Sequence, residues 1–166
     1  MSGVHTVYIG VGTNVGDREA NVEAALAMMP ERGVDVVRRS ATVETEPWGV
    51  ADQPRFLNLA LECRTGLEPR ALLDLLKGIE RTMGRDPDAP RWGPRVIDLD
   101  ILLYDAREVD EPGLVIPHPL MHERAFVLVP LADLVPDVVH PVLGRTVGDL
   151  ARALAERGEE SNSGEA

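Results

Sequence analysis

The segment Val96-Ile97-Asp98-Leu99-Asp100-Ile101 alternates apolar and acidic residues with a period of two, and that period constrains the fold more than any other feature of the chain. Alternate side chains of a β-strand share a face. A strand is therefore expected over Val96–Tyr104, with Ile97, Leu99 and Ile101 in a core and Asp98 and Asp100 side by side on the opposite face. Two carboxylates so placed repel unless a cation lies between them, and a divalent metal is the usual answer. A bare pair of this kind also occurs on the solvent face of an edge strand. Here the preceding turn reads Arg91-Trp92-Gly93-Pro94-Arg95. Guanidinium groups match phosphate oxygens two at a time, so the turn favours a phosphate-bearing substrate.

The rest of the chain supplies a sheet for that strand. Val4–Val11 reads as a first buried strand, followed by a strand-to-helix turn over Gly10–Gly16. Asp17 or Asn14 can cap a helix carrying Val22, Ala25, Leu26 and Met29 at helical spacing, which Pro30 and Gly33 end. Val34–Thr45 and Phe56–Thr65 read as strands, and Glu68-Pro69 opens a helix striped with Leu72, Leu75, Leu76, Ile79 and Met83. The order β-α-β-β-α-β is that of an α+β, ferredoxin-like antiparallel sheet with helices packed on it. A short turn (Asp105–Gly113), helices near Ala125–Leu134 and Val147–Glu156, and a polar tail follow, giving a C-terminal helical extension. One domain is expected over residues 1–157, with 158–166 unstructured.

Composition removes several functional classes. A net charge of −11 argues against a nucleic-acid surface. No apolar run approaches the ~18 residues of a membrane span. The single cysteine, Cys63, excludes an internal disulfide and a multi-cysteine zinc site and fits a reducing, cytoplasmic setting. The only lysine, Lys77, is followed by Gly78-Ile79, so the chain has no Walker-type phosphate loop. The early glycines miss the G-x-G-x-x-G dinucleotide spacing.

Three further segments carry candidate chemistry. Ile116–Phe126 packs His118, His122, Arg124 and Phe126 together, and a histidine and an arginine beside a metal can hold phosphate oxygens. His118 and His122 have metal-pair spacing, but Pro119 argues against a regular helix there. Phe56 and Asn58 share a strand face, offering a ring to stack on and an amide for the edge of a flat heteroaromatic ligand. Arg85 adjoins a proline-rich loop with the composition of a flexible cover.

Tyr8–Gly16 (YIGVGTNVG), Asp52–Asn58 (DQPRFLN), Arg91–Ile101 (RWGPRVIDLDI) and Ile116–Val129 (IPHPLMHERAFVLV) occur in this order. Together they resemble the 6-hydroxymethyl-7,8-dihydropterin pyrophosphokinases of the folate pathway, over roughly Val4 to Leu154. The resemblance implies a single-domain ferredoxin-like enzyme that moves the pyrophosphoryl group of ATP to the pterin hydroxymethyl oxygen, leaving AMP. It implies Asp98 and Asp100 as ligands of two magnesium ions, with Arg85 and Arg95 joining them as catalytic residues. Arg85, Arg95, His118 and Arg124 become phosphate and nucleotide contacts, with Glu80 and Ile101 near the nucleoside. Phe56 and Phe126 would sandwich the pterin, Thr45, Trp48 and Asn58 would line its pocket, and Trp92 would close over both substrates. A cytoplasmic monomer without nucleic-acid or membrane partners is expected.

Some positions depart from that family's pattern. Lys77 stands where a glutamine can occur, and Glu46 and Trp48 replace smaller apolar residues. Pro87 takes a loop position where a second arginine can sit, which leaves closure to Arg85 alone or with Arg91. Two rival readings stay open: a metal-dependent phosphohydrolase using Asp98, Asp100, His118 and His122, and a ligand-binding module without chemistry.

Overall fold

Stretches of period two and of helical period alternate along the chain, and each takes the matching form in the computed structural model, which describes residues 3–45, 55–84 and 96–164. Strand β1 (His5–Thr13) leads into α1 (Arg18–Met28), whose N-cap Asp17 accepts a hydrogen bond from the Ala20 amide at 3.1 Å. That carboxylate satisfies a donor which the first helical turn leaves open. One 3-10 turn, Pro30–Arg32, and the left-handed Gly33 (φ 98°) then reverse the chain.

The strand expected over 34–45 is two strands, β2 (Val34–Arg39) and β3 (Val43–Thr45). Ser40 is the reason. Its amide donates to the Ala60 carbonyl at 2.9 Å, while the Ala60 amide donates to Ser40 Oγ at 2.8 Å. The hydroxyl replaces a ladder carbonyl, so the chain bends without orphaning a buried amide.

β4 (Phe56–Thr65), α2 (Pro69–Thr82) and β5 (Asp98–Tyr104) complete the unit. Sheet order is β2-β4-β1-β5, with every neighbour antiparallel and β3 pairing β4 beyond the bend. This is the ferredoxin-like βαββαβ arrangement. One face packs Val7, Ile9, Val11, Leu59, Leu61, Leu99 and Ile101 against α1 and the Leu72, Leu76 and Ile79 stripe of α2. Cys63 lies in this core, where burial first, then Glu62 and Asp35, push its thiol up to about 12. It packs as a small apolar residue.

Residues beyond β5 cover the other face. A hairpin of β6 (Val109–Glu111) and β7 (Leu114–Ile116) occupies part of the segment read as a turn. Then α3 (Ala125–Leu134) and α4 (Val147–Gly164) bring Leu128, Leu131, Val147 and Leu150 onto Tyr8, Ala60, Leu102 and Leu103. The C-terminal extension is therefore a third layer. α4 continues through Gly164, past residue 157 where an unstructured tail was expected. Glu156, Arg157, Glu159 and Glu160 are good helix formers. The interior Gly158 costs only about 1 kcal/mol against them. No helix among the described residues is long and apolar enough to cross a membrane.

Candidate active site

β1 pairs with β5 so that Gly12 faces Asp98 and Gly10 faces Asp100, and with β4 so that Gly12 faces Asn58 and Gly10 faces Ala60. Residues directly opposite in an antiparallel ladder share a face. Two rows therefore cross one face of the sheet, Asp98–Gly12–Asn58 and Asp100–Gly10–Ala60. The glycines add no side chain. The β1 positions between the carboxylates and Asn58 are thus glycines, in a row two strand spacings, about 10 Å, across; Gly12 is buried against Asn58 and Phe56, and Gly10 is half-buried beside the Leu102 side chain.

Sequence reasoning missed this row by assigning Gly10 and Gly12 to a strand-to-helix turn, whereas β1 runs on through Thr13. The available signal was their two-residue spacing, which matches that of the aspartates. The expected alternation in β5 holds: Leu99 and Ile101 are buried, Asp98 is half-buried and Asp100 is exposed. Phe56 and Asn58 also share a face, since a Cβ at Gly12 would lie 3.8 Å from Phe56 Cδ1 and 3.1 Å from Asn58 Oδ1. Thr45, the last residue of β3, pairs with Phe56.

A bulge delivers the histidine. The β1–β5 register shifts between Tyr8 and Ile9, which leaves Leu102 as the extra residue. Bulges re-aim the backbone, and here the Leu102 carbonyl accepts the His118 amide at 3.0 Å. His118 thereby comes under the influence of Asp100 and Arg124. Burial holds its pKa below the ordinary imidazole value; Asp100 opposes that shift and Arg124 adds to it. Nδ1 accepts the Leu120 amide at 3.3 Å, so the neutral ring carries its proton on Nε2.

Arg124 immediately precedes α3, and its guanidinium carbon lies 5.6 Å from the Phe126 ring centre, within cation–π reach. α3 packs against β3 and β4, which brings Phe126 to the side of the sheet that carries Phe56 and Asn58. His122 lies in a 3-10 turn with its ring edge-on to His140, centroids 6.4 Å apart, and these two rings line one cavity with His118. Among the described residues, no group of three His, Cys, Asp or Glu side chains could hold a metal.

Not every expected contact shares this face. Ile101 is buried in the α2-side core, and Glu80, 2% exposed, takes the Leu99 amide on Oε2 at 2.8 Å. Two networks fix the site's borders. Thr13 Oγ1 donates to the Val96 carbonyl at 2.6 Å, and Arg18 bridges Glu44 and the Arg55 carbonyl at 2.7 and 2.8 Å. Trp48, Arg85, Trp92 and Arg95, together with Glu46, Pro87 and Arg91, lie outside the described residues.

The donor set at β5 fits magnesium, which binds through one or two carboxylates and completes its octahedron with water and phosphate oxygens.

A family model for 7,8-dihydro-6-hydroxymethylpterin-pyrophosphokinase (HPPK) matches residues 8–136. The chain is 46% identical over 156 residues to a 2-amino-4-hydroxy-6-hydroxymethyldihydropteridine pyrophosphokinase of Methylorubrum extorquens, covering 92% of this chain and 96% of that one. It is 45% identical over 128 residues to the Bacillus subtilis protein of the same name, covering 76% of each. Among solved structures, a Plasmodium falciparum HPPK-DHPS chain with pterin and p-hydroxybenzoate matches with a TM-score of 0.80 at 16% identity. That match covers 97% of this chain and 45% of the longer one, and shows a shared fold. With the matched region running from β1 into α3 and across both glycine rows, this chain belongs to the 7,8-dihydro-6-hydroxymethylpterin-pyrophosphokinase family.

Proposed function

We propose that the chain transfers the pyrophosphoryl group of ATP to the hydroxymethyl oxygen of 6-hydroxymethyl-7,8-dihydropterin, giving AMP and the pterin diphosphate, in folate biosynthesis. The observation that supports the site reading is the row Asp98–Gly12–Asn58, which sets a carboxylate and a carboxamide on one face of the sheet, two strands apart. A phosphate chain held at the aspartates would reach across this end of the sheet toward a ring held at Phe56, Asn58 and Phe126.

In this reading Asp98 and Asp100 hold two magnesium ions. Bound there, the metal neutralises phosphate charge and fixes the chain for in-line attack. His118 donates from Nε2 to a phosphate oxygen, and Arg124 adds a positive charge beside it. Arg85 and Arg95 supply further phosphate contacts and Trp92 closes over both substrates, while Glu80 and Ile101 border the nucleoside from behind β5, on its α2 side. Phe56 and Phe126 stack on the pterin, while Asn58, Thr45 and Trp48 line its pocket. The new bond joins the hydroxymethyl oxygen to the β-phosphorus as the bridge to the α-phosphate breaks. No protein nucleophile is required, so catalysis is positioning and charge neutralisation. Residues 1–157 form the catalytic domain of a cytoplasmic monomer with no nucleic-acid or membrane partner.

Phosphorus NMR of the chain with ATP, magnesium and the dihydropterin tests the reaction. AMP with a pterin diphosphate is the expected result. ADP or free phosphate makes it a kinase or phosphohydrolase instead, and binding of both ligands without AMP makes it a binding module.

A further inference from the structure

Glu80 lies near the C-terminal end of α2 and is 2% exposed. A carboxylate so buried persists only where donors replace its water. One is the Leu99 amide, 2.8 Å from Oε2, and Lys77 Nζ stands 3.7 Å from Oε1. Leu99 is the residue between Asp98 and Asp100, and β5 is the edge strand of the sheet. In an antiparallel ladder, alternate residues bond to the same neighbour. Asp98 and Asp100, aligned with Gly12 and Gly10, turn their backbone toward β1, so the Leu99 amide points off the edge, where no strand follows among the described residues. Glu80 fills the place of that missing strand.

We infer that Glu80 is a positioning residue for the aspartate pair: its carboxylate pins the peptide between Asp98 and Asp100 and fixes the separation at which the two carboxylates share divalent cations. Glu80 thus acts on the metals through the backbone of β5. An edge strand tied on one side only is free to twist, and each degree of twist changes the distance between side chains two residues apart. The inference rests on the metal role proposed above.

The probe is Mn²⁺ titrated into the full chain with α,β-methylene ATP, free metal being read by electron paramagnetic resonance. Leu99 amide exchange is followed in parallel by hydrogen–deuterium exchange mass spectrometry, which the paramagnetic ion does not disturb. Replacing an outer-shell partner typically weakens metal binding 10- to 100-fold, and that loss is expected for Glu80→Ala together with faster Leu99 exchange. Glu80→Gln keeps an oxygen acceptor and is expected to stay within about threefold of the wild type. Leu72→Ala, a core change on the same helix, lowers Tm without moving Mn²⁺ affinity. By linkage, Mn²⁺ must also slow Leu99 exchange in the unaltered chain, a readout that no folding defect can confuse. Wild-type Mn²⁺ affinity in Glu80→Ala, equal damage in the Gln and Ala variants, or Leu99 exchange indifferent to Mn²⁺ each overturns the inference. Asp98→Asn in the same titration separates the two levels. If it too binds Mn²⁺ normally, the metal reading itself fails; if it alone loses Mn²⁺, only the positioning role does.

Discussion

Gly12→Ala tests whether the glycine row borders a substrate surface. The residue sits in extended strand backbone, so alanine meets no conformational barrier there. Its Cβ would stand 3.1 Å from Asn58 Oδ1, with Phe56 Cδ1 at 3.8 Å and the Leu57 carbonyl at 3.9 Å. Ordinary C···O approaches are about 3.3–3.6 Å, so the Asn58 carboxamide must retreat by about 0.2–0.5 Å. Asn58 is 7% exposed and cannot yield freely. A displacement of that size strains one hydrogen bond to the pterin edge, about 1 kcal/mol. That corresponds to roughly fivefold in Kd.

Stability moves differently. Exchanging glycine for alanine lowers the entropy of the unfolded chain and contributes about 0.4–1 kcal/mol, which offsets the local crowding. The expected outcome is a fivefold weaker pterin complex by calorimetry with an unchanged urea midpoint. Gly10→Ala is the internal comparison: the three atoms nearest its Cβ all belong to the Leu102 side chain, at 3.4–3.6 Å, and not to Asn58, so pterin affinity stays at the wild-type level. Wild-type pterin binding in Gly12→Ala would remove Asn58 from the ring's edge and refute the reasoning. A loss of affinity matched by an equal loss of stability would refute it as well, since the effect would then be structural.

Asp98→Ala and Asp100→Ala should each lower turnover by about 1,000-fold at saturating magnesium. Because neither side chain is buried, unfolding free energies should stay within about 0.5 kcal/mol of the parent. Near-normal turnover in either variant contradicts the metal assignment. Ser40→Ala leaves the buried Ala60 amide without its acceptor, and chemical denaturation should register a loss of about 1–3 kcal/mol; a neutral result would mean that water replaces the hydroxyl. His140 is buried, its Nδ1 accepts the Val142 and Leu143 amides at 3.3 and 3.1 Å, and burial, then His122, hold its pKa low. The unfolded chain therefore takes up this proton first, so the contribution is complete above an ordinary imidazole pKa of about 6.5 and fades as pH falls through the lower folded value. Urea midpoints at pH 7.5 and 5 should diverge less in His140→Gln than in the wild type, and equal divergence would exclude His140 as a source.

Much of this was legible because periodicity reports on faces. Asp98 and Asp100 could be assigned to the face opposite Leu99 and Ile101 from spacing alone, and so could the pairing of Phe56 with Asn58. What periodicity does not carry is register between strands distant in sequence. Gly12 joins Asp98 to Asn58 only because β1 lies between β5 and β4, and nothing within YIGVGTNVG states which strands flank it. Ser40 escaped for a related reason, since its hydroxyl matters only against Ala60, twenty residues away. The Leu102 bulge is likewise a property of two strands and not of one. The third layer was hidden by its own composition, since apolar residues of α3 and α4 reveal a buried face without naming the surface that buries it.

The charge balance explains why the site takes the form it does. A chain with a net charge of −11 repels a nucleoside triphosphate at long range, so attraction must be generated within the site. Among the described site residues the only permanent cation on the aspartates' side of the sheet is Arg124, and burial keeps His118 neutral, able to donate a hydrogen bond but adding no charge. Two carboxylates on that same face would then deepen the repulsion. In the proposed reading they act as ligands, since a divalent ion held between them would reverse the local sign where a phosphate chain would lie. The glycines complete the logic. At positions 10 and 12, opposite the two aspartates, they add no side chain of their own. In the proposed reading the acidic pair and the glycines beside it answer one requirement: a metal-loaded anion would have to be admitted by a protein whose overall field rejects it.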